Sequence, residues 1–132
     1  MVARFFVDEN DLALGKALAQ THDDVVYPGH PDLSEVPRGS LDDDWLPVMH
    51  SRGLVVITRD QRIRYRPVEK QLWISHKVRG FILTGRKSQS TLDSLLVVER
   101  HWSQIEAVVD TRPDGPWMYA VTEERLREIA LS

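Results

Sequence analysis

The chain has no cysteine. That excludes a disulfide framework, thiolate zinc sites and cysteine nucleophiles, and it suits a reducing cytoplasm. No apolar run approaches the roughly 18–20 residues of a membrane span. Asp8 and Glu9 interrupt any apolar segment near the amino terminus, so no signal peptide is expected either. The expected location is the cytoplasm, away from membranes. Strong positive charge is also missing: the net charge is -3, so the molecule as a whole is not a basic nucleic-acid binder. None of the five histidines falls in a zinc-motif spacing. No serine sits in a Gly-x-Ser-x-Gly elbow, and no glycine-rich loop is built to cradle a phosphate.

What remains is an ordinary globular composition over 132 residues, 42% hydrophobic and 28% charged. That length fits one domain spanning 1–132 with one core. Short apolar runs at 3–8, 25–27, 54–58, 80–84 and 117–121 read as strands. Between them lie helical stretches at about 12–21, 42–51, 67–76 and 91–109, and a last helix is expected over 122–129 with Thr122 as its cap. Gly53 should end the second helix. Strands alternating with helices predict right-handed crossovers and an α/β fold. The central sheet should be mostly parallel, with roughly five strands, covered on both faces.

Two of these strands end on acids. Phe5-Phe6-Val7 runs into Asp8-Glu9-Asn10, and Val55-Val56-Ile57-Thr58 runs into Arg59-Asp60. A third acidic run, Asp42-Asp43-Asp44, opens the second helix. In open parallel sheets, ligands bind beyond the carboxyl ends of the strands, so Asp8 and Asp60 can meet at one site. Clustered carboxylates repel, by roughly 4 kcal/mol for two charges about 4 Å apart at an effective dielectric near 20. They stay ionised only around a cation. Hard oxygen donors select Mg²⁺ or Mn²⁺, and such an ion suits phosphodiester hydrolysis. Each acid also has a structural alternative: Asp8 as cap of the first helix, a role for which Asp11 competes, Asp60 as a turn cap, and Asp42 as a helix cap with Asp43 and Asp44 favouring the helix dipole.

Charge is unevenly spread. Residues 59–87 carry nine basic side chains against Asp60 and Glu69, a local +7 within a chain of net -3. Arg59, Arg62, Arg64 and Arg66 are candidates to hold a nucleic-acid backbone. Tyr65 lies among them and could stack an unpaired base, whereas Trp73 reads as core.

The order Phe6-Val7-Asp8-Glu9-Asn10, Asp42-Asp43-Asp44, Gly53, Val56-Ile57-Thr58-Arg59-Asp60 resembles the PIN-like nuclease domains. Within them it most resembles the branch of VapC-type toxins of bacterial toxin–antitoxin pairs. The stretch Arg64-Tyr65-Arg66-Pro67-Val68-Glu69 is similar to that branch as well. The likeness covers residues 5–10 and 42–70, and is only topological beyond about 80.

The resemblance implies a three-layer α/β/α PIN-like domain that acts as a metal-dependent ribonuclease. It implies Mg²⁺ or Mn²⁺ held by Asp8, Asp60 and one acid of the 42–44 run, with Asp44 the choice and Asp43 the alternate. Thr58 would support the site through its hydroxyl. A protein antitoxin would block the site, and a homodimer is compatible with the family. One departure stands out. Many PIN nucleases carry a further acid just beyond the last strand-end Asp, where this chain has Gln61-Arg62-Ile63-Arg64; Glu69 on the next helix is the candidate replacement.

Two rival readings remain. One is a catalytically weak or inactive PIN-like module that binds RNA or protein. The other is a phosphotransfer receiver, which would want a strand-end lysine and finds only Lys87.

Overall fold

The computed structural model describes residues 2–85 and 90–131. Arg86 and Lys87 of the basic stretch, and Ser88, therefore lie outside the described residues.

Five short strands pair in parallel: β1 (Phe5–Val7), β2 (Val25–Val26), β3 (Val55–Thr58), β4 (Arg79–Leu83) and β5 (Trp117–Val121). A sixth, β6 (Leu126–Glu128), runs antiparallel to β5. The sheet order is β2-β1-β3-β4-β5-β6. The helices are α1 (Leu12–Thr21), α2 (Asp42–Arg52), α3 (Arg62–Tyr65), α4 (Pro67–Ser75), α5 (Thr91–Arg100) and α6 (Trp102–Thr111). None is long and apolar enough to cross a membrane, among the described residues.

Strand periodicity splits the core in two. Phe5, Val7, Val55, Ile57, Phe81 and Val121 face the layer of α1, α5 and α6. Phe6, Val56, Ile82 and Met118 face the other layer, with Trp45, Met49 and Trp73 packed over them. The strands are buried on both faces, which is why they read as continuous apolar runs rather than alternating ones. This is the expected α/β/α arrangement with one strand more than the expected five.

That extra strand replaces the expected terminal helix. Thr122 does not cap a helix. Its Oγ1 accepts the N–H groups of Glu124 and Arg125, at 3.3 and 3.2 Å, inside a turn closed by the Thr122 N–H to Arg125 carbonyl bond. The chain then doubles back. The Arg112 guanidinium ties β6 down at Glu128, 2.8 Å away, and Ile129 and Leu131 pack on the second core cluster. A Thr-Glu-Glu start serves a side-chain-stabilised turn as well as a helix, and burial of Ile129 and Leu131 decides between them. The single helix expected at 91–109 is likewise two. They meet at His101, whose buried ring lies 2.9 Å from the Thr122 carbonyl through Nε2. Trp102, just past the break, stacks on His22 and tilts against Phe5.

Two glycines are dictated by the backbone. Gly53 closes α2 in the left-handed region at φ 64°, as its place in the sequence requires. Gly80 lies in β4 beneath Trp73. A Cβ there would come within 2.6 Å of the indole ring and 2.8 Å of the Val56 carbonyl. The indole is itself fixed by its Nε1–H donating to the Trp117 carbonyl at 3.1 Å. Gly80→Ala should therefore lower unfolding stability by about 1–3 kcal/mol through overpacking, read as a shifted urea midpoint at unchanged slope.

Candidate active site

The chain leaves β1 towards β2 on one side, and β3 pairs on the other. The strand order thus reverses between β1 and β3, and a crevice opens at their carboxyl ends. The register Val7↔Ile57 carries the next residues, Asp8 and Thr58, side by side. Asp60, two residues beyond Thr58, lies near enough for its charge to act weakly on Asp8.

Asp8 is 6% exposed. Its carboxyl makes no side-chain cap bond to the turn that follows, and among the described residues its buried Oδ1 has no hydrogen-bond partner. Burial pushes the Asp8 pKa up to about 8, with the charge of Asp11 and, to a smaller extent, that of Asp60 acting the same way against the Thr58 hydroxyl. Asp11 makes no side-chain cap bond to α1. Its buried carboxylate instead receives the Arg59 Nε–H on Oδ1 at 2.6 Å and the Arg59 backbone N–H on Oδ2 at 2.9 Å. The Arg59 guanidinium reaches on to the Ser94 hydroxyl at 3.3 Å. Arg59, expected to hold RNA, is thus turned inward as the tie between α1, β3 and α5.

Thr58 acts on the same turn: its Oγ1 accepts the Asp60 N–H at 3.0 Å. Asp60 is held by Arg62. The Arg62 Nε–H and backbone N–H both donate to Oδ1, and Nη2–H donates to Oδ2 at 2.8 Å. Partial burial raises the Asp60 pKa, but the Arg62 hydrogen bonds outweigh it and the net shift is downward.

Beside Asp8 lies a cleft of about 480 Å³. Its wall carries Asp8, Glu9, Asp42, Asp43 and Glu69, with no lysine or arginine among its lining residues. Pinning the cleft's loop, Glu9 accepts the Gly39 N–H and pairs with Arg38. Asp42 accepts the Trp45 Nε1–H at 3.1 Å, and Asp44 caps α2 by accepting the Leu41 N–H at 2.9 Å. Asp43 has no hydrogen-bond or ion-pair partner among the described residues, and it stands in the cleft wall where Asp44 was the expected member of the run. Glu69 reaches the wall from α4, with Arg66 at 3.7 Å. Leu41 and Val68 line the cleft and are exposed. Tyr65, at the end of α3, is exposed as well, and Arg64 lies over its ring at 5.0 Å.

These donors are all hard oxygens, and Asp8 offers a buried oxygen without a partner, so in kind they fit a small divalent cation. As the side chains stand, no three acidic or histidine groups among the described residues are close enough together to hold one. Asp60 and Asp44 are spent on Arg62 and Leu41. Sequence reasoning missed Asp11 and Ser94 as builders of this site. Asp11 carried a helix-cap signal that masked its pairing with Arg59, and Ser94 carried no signal at all.

The family that matches this sequence is described as PIN like domain, over residues 3–85. The chain belongs to the PIN-like domain family. The match spans β1 through β4 and so includes Asp8, the 42–44 run and Asp60. Among curated proteins and solved structures, none matches the chain. Membership in the PIN-like family points to nuclease-type chemistry on nucleic acid.

Two predictions test the site's electrostatics. In the folded chain Asp8 keeps its proton to about pH 8, while in the unfolded chain it loses it near 3.8. The folded state therefore binds the extra proton between about pH 4 and 8, and Asp8 lowers stability as pH rises through that window. With a chelator present, the thermal midpoint of Asp8→Asn should rise relative to wild type from pH 5 to pH 8; a difference that does not change with pH contradicts the assignment. Asp11→Ala should cost about 2 kcal/mol, because it strips the charged hydrogen bonds from Arg59, as read by chemical denaturation.

Proposed function

We propose that this PIN-like domain is a Mg²⁺- or Mn²⁺-dependent endoribonuclease, the toxin of a toxin–antitoxin pair. The observation that carries the reading is the buried, unpartnered Oδ1 of Asp8 beside a cleft walled by five acids. A polyanion cannot enter such a cleft until its charge is offset.

Asp8, Asp60 and one of the 42–44 acids would hold the cation, with Asp43 favoured over Asp44 because Asp44 caps α2. A bound divalent ion would polarise the scissile phosphoryl oxygen and lower the pKa of an attacking water. The chain's own residues do the rest. Asp8 gives up its proton when the site is loaded. The Asp11–Arg59 pair and the Thr58 hydroxyl hold the turn that presents Asp60. Arg62, Arg64 and Arg66 meet backbone phosphates, and the exposed Tyr65 ring, 66% accessible, offers a face for a base.

The toxin role, the antitoxin that would cover the cleft and a homodimer are supported by the motif likeness alone, and a cytoplasmic setting by the lack of cysteine. A second reading, a PIN-like module that binds RNA or protein without cutting, is favoured by one observation: Arg62 occupies both carboxylate oxygens of Asp60.

The decisive measurement is cleavage of single-stranded RNA with added Mn²⁺. Loss of a group that merely supports a metal ligand costs about 10–100-fold, so Asp8→Asn and Asp60→Asn should each cost at least about 100-fold. Equal cutting by all three proteins would sink the metal-site assignment, and RNA binding with no cutting by wild type would favour the module.

A further inference from the structure

Arg62 lies in the basic stretch that follows β3, and its guanidinium fork closes on both Asp60 oxygens while its backbone N–H adds a third bond to Oδ1. The Arg62 side chain is 53% exposed, whereas Asp60 is 14% exposed. Asp42 and Glu69, across the cleft, also act on the guanidinium charge. The chain thus supplies its own cation to a site whose acids would otherwise be left with unbalanced charge. That cation is held through a guanidinium that is half exposed, so a solvent-borne anion can reach it. Its best competitor is a phosphate, which a guanidinium forks as readily as a carboxylate.

We propose that Arg62 is an exchange residue: it clasps Asp60 in the free protein and transfers to an RNA phosphate in the complex, releasing Asp60 to the divalent cation. This rests on the nuclease reading and adds to it that RNA and metal bind cooperatively. Because coupling is reciprocal, each ligand must raise affinity for the other by the same factor. The protein would then load its metal efficiently only when a polynucleotide is present.

The test reads Mn²⁺ affinity, by calorimetry or by the spin resonance of unbound Mn²⁺, with and without a slowly cut phosphorothioate single-stranded oligoribonucleotide. An oligonucleotide-only blank is subtracted. Wild type should bind Mn²⁺ about fivefold more tightly with the oligonucleotide, the scale of a half-exposed ion pair. Arg62→Gln should bind Mn²⁺ alone about fivefold more tightly than wild type and gain less than about twofold from the oligonucleotide. Arg62→Lys, which keeps the charge without the fork, should fall between them. Lys70→Gln removes a neighbouring charge on α4 and should shift Mn²⁺ affinity by less than about twofold. Equal affinities for wild type and Arg62→Gln, or an equal gain from Lys70→Gln, would overturn the exchange while leaving the nuclease reading intact. Absence of Mn²⁺ binding by wild type in both conditions would remove the nuclease reading and the exchange with it.

Discussion

Everything at this site hangs on the parallel pairing of β1 with β3. Three matched residue pairs, from Phe5↔Val55 to Val7↔Ile57, set two chain segments roughly fifty residues apart in one register. One residue further on, that register turns from apolar to acidic on β1, and on β3 the acid follows at the next turn. A slip by one residue would move Phe5 and Val7 to the opposite core and separate Asp8 from Thr58. The two aromatic clusters, with Phe5 against Trp102 and Phe6 against Trp45, resist that slip from opposite faces. Packing of uncharged residues thus fixes the place at which charges are forced together.

Around that point the chain manages charge by pairing. The basic stretch that follows β3 looks, in one dimension, like a surface for a polyanion. In three dimensions its members are distributed: Arg59 goes to Asp11, Arg62 to Asp60, Arg66 towards Glu69, and Arg79 to the Gly53 carbonyl. Among the described residues the cleft wall itself holds no basic residue, and only two of its acids, Glu9 and Glu69, pair with arginines, Arg38 and Arg66, outside it. Asp8 is the buried acid left without a basic partner among them, and its raised pKa follows from desolvation reinforced by the neighbouring Asp11 charge.

Much of this was legible in the sequence where one local signal sufficed. Residues 12–21, 42–52 and 117–121 form the elements their periodicity, Gly53 stop and apolar content announce. The strand-end acids were legible because adjacency along the chain survives folding. Choices that depend on tertiary burial were not. Nothing between Ser90 and Val109 breaks a helix by composition, and the break at His101 comes from a ring pulled towards the Thr122–Glu123 carbonyls. The acids at 42–44 point about 100° apart around the helix, so which of them faces the cleft depends on how α2 lies on the sheet. Asp11 does stand where α1 begins, but its carboxylate serves Arg59 instead of capping, and Thr122's helix-start signal yielded to a local turn favoured by the burial of Ile129 and Leu131.

The two borders of the sheet have a consequence of their own. β2 is a ladder of only two residues, and β6 is three residues long, two of them the exposed charges Arg127 and Glu128. Neither border gives a foreign strand enough unpaired backbone to zip onto, and the charged one discourages it further. Strand addition, a common way for one chain to capture another, is therefore largely closed to this fold, and recognition falls to its helices and loops.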